Sequence, residues 1–256
     1  MTQRLLLGFL ISVLAITAAP AVAEPTEVAV RVLSRDAKFV GTSMGGVRIT
    51  LRDRETDEVL ARGLTTGGTG DTAKIMHEDR GRRATMADDS AAAYQTTLDL
   101  DRARLVEVEA YGPLAQPQAA HTVTSTQWVV PGRDLTGGDG WVLEMPGFVV
   151  DVETPSAHTK LSEPGDSVRV EAAVMMMCGC PIEPNGLWDA NDYEIAMTVE
   201  HNGQTMDEIG LEYAGQTSRF AGEIPLQGAG VYQVTVHAYD PETGNTGVDR
   251  TTFIVP

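Results

Sequence analysis

Read for hydrophobic period, the chain is a succession of short alternating runs broken by Gly, Pro, Asn and Asp, the pattern of strands and turns. Val28, Val30 and Val32 share one face of Glu27–Leu33, and Val47–Leu51, Glu58–Leu64, Tyr94–Leu100, Leu105–Tyr111 and His121–Val130 follow. Pro146-Gly147 splits Trp141–Met145 from Phe148–Val152. Beyond a polar, Pro-punctuated stretch at 153–164, the alternation resumes at Ser167–Met177, Tyr193–Glu200, Arg219–Pro225, Gly228–Ala238 and Val248–Val255. His201-Asn202-Gly203-Gln204 has hairpin-turn chemistry. Met76–Ala93 is the least regular stretch, with a helical turn expected only over Asp88–Ala93. The pattern predicts an all-β fold: two antiparallel β-sandwich domains in tandem at 24–152 and 165–256, joined by a linker at 153–164.

The first 23 residues break this pattern and read as a signal peptide. Arg4 gives the positive start, Leu5–Ala18 the apolar core, and Ala21-Val22-Ala23 the small-residue cleavage site. The apolar run is too short to span a bilayer comfortably, and no cysteine follows the cleavage site to carry a lipid. The expectation is a soluble, exported chain, periplasmic or secreted. A bacterial source fits, because no Asn-x-Ser/Thr acceptor is present.

Charge narrows the partners. The formal net charge is −17, becoming −18 once Arg4 is removed, which argues against nucleic acid and anionic membrane surfaces. It is unevenly spread: residues 24–150 carry 14 basic and 19 acidic side chains, residues 151–256 carry 4 and 17. The second half therefore favours cations or a basic protein partner.

One stretch stands apart chemically: Val174-Met175-Met176-Met177-Cys178-Gly179-Cys180-Pro181, with both cysteines of the chain and three of its ten methionines. Strand alternation puts Met176, Cys178 and Cys180 toward the apolar face of Ser167–Met177 and Met175 and Met177 toward the face of Arg169 and Glu171. Thiolate and thioether are soft ligands that suit Cu(I), so Met175, Met177, Cys178 and Cys180 form a candidate copper site. Met176, Trp188, His201 and His237 are possible additions, Trp188 as an aromatic face over a soft cation. The same residues permit other readings. Met176 fills a core in either case, Trp188 packs in a core or loop, and Cys178 and Cys180 pair with each other. In an extended strand residues two apart lie about 6.5 Å apart, near the upper limit for a disulfide, so such a bond is expected to be strained and reducible. A thiol–disulfide role lacks a basic neighbour to lower a thiol pKa. Elsewhere Asp134 and Asp139 lie in a Gly-rich loop without EF-hand spacing, where turn chemistry suffices. No catalytic constellation is recognisable.

Two resemblances accompany this reading. Glu27–Leu64, ending in Thr65-Thr66-Gly67-Gly68-Thr69-Gly70-Asp71, resembles the start of carboxypeptidase regulatory-like (transthyretin-like) domains, implying a small, usually non-catalytic sandwich. Residues 165–256 resemble an immunoglobulin-like sandwich, with Ser167–Met177 as its second strand and Gly230-Val231-Tyr232-Gln233-Val234-Thr235-Val236-His237-Ala238 as its sixth. That resemblance gives Tyr232 the role of a tyrosine corner. It also implies an inter-sheet cysteine at Val234, which is absent, so Cys178 has no such partner. The functional expectation is an exported accessory protein that binds copper through the Met/Cys cluster, possible delivery to a periplasmic partner included. The alternative is a non-catalytic binding or structural module in which Cys178–Cys180 is only a local disulfide.

Overall fold

The computed structural model describes residues 23–78, 81–162 and 165–256. The expected signal peptide lies outside these residues apart from Ala23.

The first sandwich contains β1 (Glu24–Ser34), β2 (Arg48–Asp53), β3 (Val59–Leu64), a short helix α1 (Thr72–Met76), β4 (Tyr94–Leu100), β5 (Arg104–Gly112), β6 (His121–Val129) and β7 (Trp141–Met145). One sheet has the order β4-β1-β7 and the other β3-β2-β5-β6. Period-two alternation explains the packing. Val28, Val30 and Val32 of β1 meet Ile49 and Leu51 of β2 and Val106, Val108 and Ala110 of β5 in one core. β1 and β7 run parallel, a departure from the purely antiparallel expectation that β9 and β17 repeat in the second half.

The irregular segment before β4 does contain a helix, but at Thr72–Met76 rather than Asp88–Ala93. Asp71 caps it by accepting from the Lys74 amide at 2.8 Å. Ile75 then packs with Phe39, Ala87 and Ala91 in a small separate core. Residues 89–93 form a turn and bridge back to Thr66 and Gly68. Asp134 and Asp139 tie their loop to distant segments rather than serving only their own turn. Asp134 accepts from the Glu27 amide, and Asp139 from the Met86 and Ala87 amides.

The second sandwich contains β8 (Phe148–Thr154), β9 (Thr159–Lys160), β10 (Ser167–Met176), β11 (Glu194–His201), β12 (Gln204–Thr205), β13 (Ile209–Gly210), β14 (Glu212–Tyr213), β15 (Arg219–Pro225), β16 (Gly230–Tyr239) and β17 (Thr246–Val255). Its sheets run β14-β15-β10-β8 and β12-β11-β16-β17-β9. This is the D-E-B-A and C′-C-F-G order of an immunoglobulin-type sandwich. β8 pairs with β10 from Ala172↔Val152 to Met176↔Phe148. Phe148–Thr154 thus belongs to the second sandwich, and the chain crosses between sandwiches at Pro146-Gly147, ahead of the expected linker at 153–164. The tyrosine corner is formed: the buried Tyr232 hydroxyl donates to the Gly228 carbonyl at 3.0 Å and accepts from the Gln227 amide at 2.8 Å.

Tyr232→Phe removes both bonds and leaves a partly buried amide unpaired. It is expected to lower unfolding free energy by about 1–3 kcal/mol in chemical denaturation, with the fold retained by circular dichroism.

Candidate functional site

The sulfur-rich turn forms where β10 ends. The Gly179 amide donates to the Met176 carbonyl at 2.8 Å, and the Met176 amide donates to the Cys180 carbonyl at 3.1 Å. Gly179 takes φ +76°, so the loop is a tight hairpin closed by a left-handed glycine. Met175 pairs with Pro181 across it. Cys178 and Cys180, flanking that glycine, are joined by a disulfide with Cα atoms 5.4 Å apart. The turn, rather than an extended strand, sets this separation, inside the usual disulfide span.

Burial sorts the methionines differently from the expectation. Met176, Cys178 and Cys180 enter the core of the second sandwich, as the alternation predicts. Met177, placed on the polar face by parity, is fully buried in the core of the first sandwich, and Met175 packs against that same core. From Ser167 to Glu171 the strand has one wet face; from Ala172 onward both faces are covered, one by each sandwich. A strand covered on both sides reads as a continuous apolar run, which accounts for Ala172-Ala173-Val174-Met175-Met176-Met177. Methionine suits this place because its unbranched thioether fills irregular gaps between two cores.

Other contacts complete the seam. A Cβ built on Gly179 lies 2.5 Å from the Met44 sulfur, so the Met44 side chain of the first sandwich rests on the turn. The buried Trp188 donates its indole N–H to the Asp36 carbonyl of the first sandwich at 2.9 Å. It is a core residue, as core packing predicts, and also a link between sandwiches. Asn245 receives the Gly147 amide at 2.9 Å and donates to the Arg35 carbonyl at 3.4 Å. Met44, Asp36 and Asn245 escape sequence reasoning because each meets partners more than ninety residues away.

The two histidines do not join the turn. His201 ends β11, seven residues beyond its start, roughly 20 Å along the sandwich from the sulfur-bearing end. There it stacks on Tyr232 at 4.3 Å and contacts the Ala229 carbonyl. His237 lies on the outer face of its sheet, 3.9 Å from Glu208. Among the described residues no group of three or more His, Cys, Asp or Glu side chains is disposed to hold a metal ion. The disulfide and Met176 belong to the core of the second sandwich, and Met44, Met175 and Met177 to that of the first.

Carboxylates ring one side of the seam. Desolvation raises the Asp36 carboxyl above its ordinary value, and the charges of Asp240 and Glu242 raise it further. Tyr193, half-buried nearby, is raised by desolvation and then by Asp36, Asp240, Asp192 and Asp189, so its hydroxyl stays protonated. Asp240 itself is buried and holds its own turn, accepting from the Glu242 and Thr243 amides and from the Thr243 hydroxyl.

The strand order and tyrosine corner define the class: an all-β protein whose second sandwich is immunoglobulin-like. No protein-family model matches the sequence, and no curated protein matches it. Among solved structures the chain is similar to the chicken interferon gamma receptor alpha chain, with 10% identity over 92% of this chain and 100% of that one, at TM-score 0.33. It is similar to a chimeric titin Z1Z2, with 11% identity over 92% and 98% of the two chains, at TM-score 0.21. An engineered protein shares 16% identity over 50% of this chain at TM-score 0.32, and this chain spans 24% of its length. The class rests on the strand order and the tyrosine corner. Among the described residues no helix is long and apolar enough to cross a membrane.

Gly179→Ala forces a side chain into a left-handed position and against the Met44 sulfur. A loss of about 1–3 kcal/mol is expected in denaturant unfolding, with part of it recovered in Gly179→Ala/Met44→Ala. The Asp36 shift has a definite sign. A carboxyl raised in the folded state binds its proton more tightly there than in the unfolded chain. Stability contributed by Asp36 is therefore highest below the ordinary carboxylate range and falls as pH rises through the raised value. Because Asp36 is itself solvent-exposed, the effect is screened: Asp36→Asn is expected to melt slightly higher than the parent at pH 7, and the gap should close below the ordinary carboxylate range; a gap constant with pH would refute this origin.

Proposed function

We propose that the chain is an exported, non-catalytic binding module in which two β-sandwiches are held in one fixed relation and Cys178–Cys180 is a structural clip at their seam. The carrying observation is the burial of β10 on both faces. Residues that first suggested a soft-metal site are the ones that fill the two cores where they meet. In this reading the first sandwich is transthyretin-like, supported by its three-plus-four strand arrangement, and the work is done by exposed sheet surfaces. The acidic second half suits a basic protein partner, and the compartment is the periplasm or the exterior, where a disulfide persists.

A second reading has its own support. On reduction, Cys178 and Cys180 would flank Gly179, where the Met44 sulfur rests, with Met175 and Met177 close by in sequence, and these soft donors suit Cu(I). In this reading the turn takes copper in its reduced form and the disulfide is the metal-free state.

Mass and Cu(I) titration under argon separate the two. The structural reading expects a purified protein two hydrogens lighter than its reduced mass and no stoichiometric copper uptake before or after reduction. It also expects a folded Cys178→Ser/Cys180→Ser variant less stable by about 1–2 kcal/mol, the magnitude for so short a loop. One equivalent of Cu(I) bound on reduction, and lost in Met175→Leu/Met177→Leu, would install the copper reading instead.

A further inference from the structure

Sheet edges are where a β-protein either blocks or invites another strand. Most edges here are blocked. β3 carries Arg62 and faces a register irregularity at Leu51/Arg52; β4 carries Asp99, β7 carries Glu144, and β8 carries Asp151 and Glu153. β9, β12 and β14 are two residues long. β6 differs. It is the edge of its four-stranded sheet, nine residues long and paired with β5 without irregularity from Arg104↔Val129 to Gly112↔His121. His-Thr-Val-Thr-Ser-Thr-Gln-Trp-Val has no acidic residue, no Lys or Arg, and no Pro.

The free side of β6 follows from the ladder. The Arg54 amide bonds the Leu105 carbonyl, so the odd-numbered residues of β5 direct their backbone toward β2 and the even-numbered ones toward β6. Register then assigns His121, Val123, Ser125, Gln127 and Val129 to the bonds with β5. Thr122, Thr124, Thr126 and Trp128 direct their N–H and C=O groups to the open edge. The same four carry their side chains on the outer face, where Trp128 is 56% exposed, the largest fraction among the exposed large hydrophobics. Among the described residues no backbone partner meets these four on the open side. Ser125 points inward and receives the Trp141 indole N–H at 3.0 Å, which fixes the strand to the sandwich.

We infer that β6 is a self-association edge, pairing antiparallel with β6 of a second copy about a two-fold axis at Ser125. This register sets Thr124 against Thr126 of the other copy and Thr122 against Trp128, all with outward-directed backbone groups. Each facing pair exchanges two backbone hydrogen bonds. Thr against Thr and an aromatic over Thr are favourable cross-strand neighbours. Charge selects the occupant. A chain of net charge −17 repels its own copy over most of its surface, and an uncharged edge removes that penalty where the strands meet. A basic partner finds no carboxylate on this strand. Behind it, Glu107 and Glu109 face Thr126 and Thr124 from β5, with Glu107 engaged by Arg54 at 3.6 Å. Pairing would run the two four-stranded sheets into one continuous sheet. The inference depends on neither reading of the sulfur turn.

Sedimentation equilibrium of the purified chain tests it, together with Thr124→Glu/Thr126→Glu, which sets carboxylates opposite carboxylates across the axis. The expected result is a concentration-dependent dimer in the parent, weakened at least roughly tenfold in the variant, with the fold retained by circular dichroism although Glu109 and Glu107 now face carboxylates within the monomer. Thr97→Glu, on the β4 edge, should leave the dimer intact. Hydrogen exchange on the unsubstituted chain gives a second readout, with the amides of Thr122, Thr124, Thr126 and Trp128 slowing as concentration rises. A parent that stays monomeric on the order of 100 µM, a dimer that the double substitution leaves intact, or exchange at these amides independent of concentration would overturn the inference. Monomer alone with strand-specific capture of a foreign peptide would transfer the edge to another partner and equally refute self-pairing.

Discussion

The structure turns on one strand that is packed against a core on both faces, with Met175 half-buried on the far one. β10 begins as an ordinary sheet member, with Val168 and Val170 inward and Arg169 and Glu171 outward. By Met176 it has become the shared wall of two cores. That change forbids polar side chains on either face past Glu171 and forces a run of apolar residues. It also demands side chains that fit two differently shaped interiors, which stiff β-branched residues do less well than methionine. The hairpin beyond must reverse the chain inside this seam, where a left-handed glycine lies under the Met44 sulfur. Backbone polar groups buried at such a place need partners. Those partners are the hairpin's own bonds, with Trp188 and Asn245 supplying links across to Asp36 and Arg35.

The architecture was largely legible in sequence because it rests on period two. β4, β7 and β15 fall at the residues the alternation marks, and Tyr232 occupies its corner because Gly-x-Tyr-x-Val-x-Val records both a turn and an inward face. The boundary was misplaced for an identifiable reason. Phe148–Val152 is as apolar as β7 and follows it closely, so local pattern assigned both to one domain, whereas pairing to β10 is a long-range fact. The two-residue strands β9, β12, β13 and β14 carry too few residues to display a period. α1 is a single turn whose stability comes from Ile75 packing on Phe39 rather than from its own propensity.

The sulfur cluster shows what composition leaves open about a site. Five sulfur-bearing residues within six positions is a dense supply of soft donors, and a wet far face was a fair extrapolation from Arg169 and Glu171. What the sequence does not display is that the first sandwich covers that face, since Met44 arrives from another part of the fold. The seam and the soft-donor readings draw on the same property, a polarizable side chain that adapts to an irregular environment. The two make different demands: a ligand site needs convergent donors free to bind, while a seam needs atoms packed against both walls. Met177 meets the second condition in full, and the disulfide occupies both cysteine sulfurs.

A seam of this kind constrains where recognition can occur. The inner faces of both sandwiches and the surfaces where they meet are occupied by packing, and the acidic second half repels anionic partners. Recognition is left to outer sheet faces and edges, and these are not equivalent. Edges carrying Arg62, Asp99, Glu144 or Asp151 resist strand addition by charge, and the two-residue strands offer too short a ladder. The His121–Val129 edge has length, unbroken register and no charge to solvate, so it departs from the way the chain protects its other edges. Threonine on alternate outward positions keeps it soluble while preserving strand propensity. On the proposed reading, a seam that fixes two sandwiches leaves one unguarded edge as the place where the chain differs from its other edges.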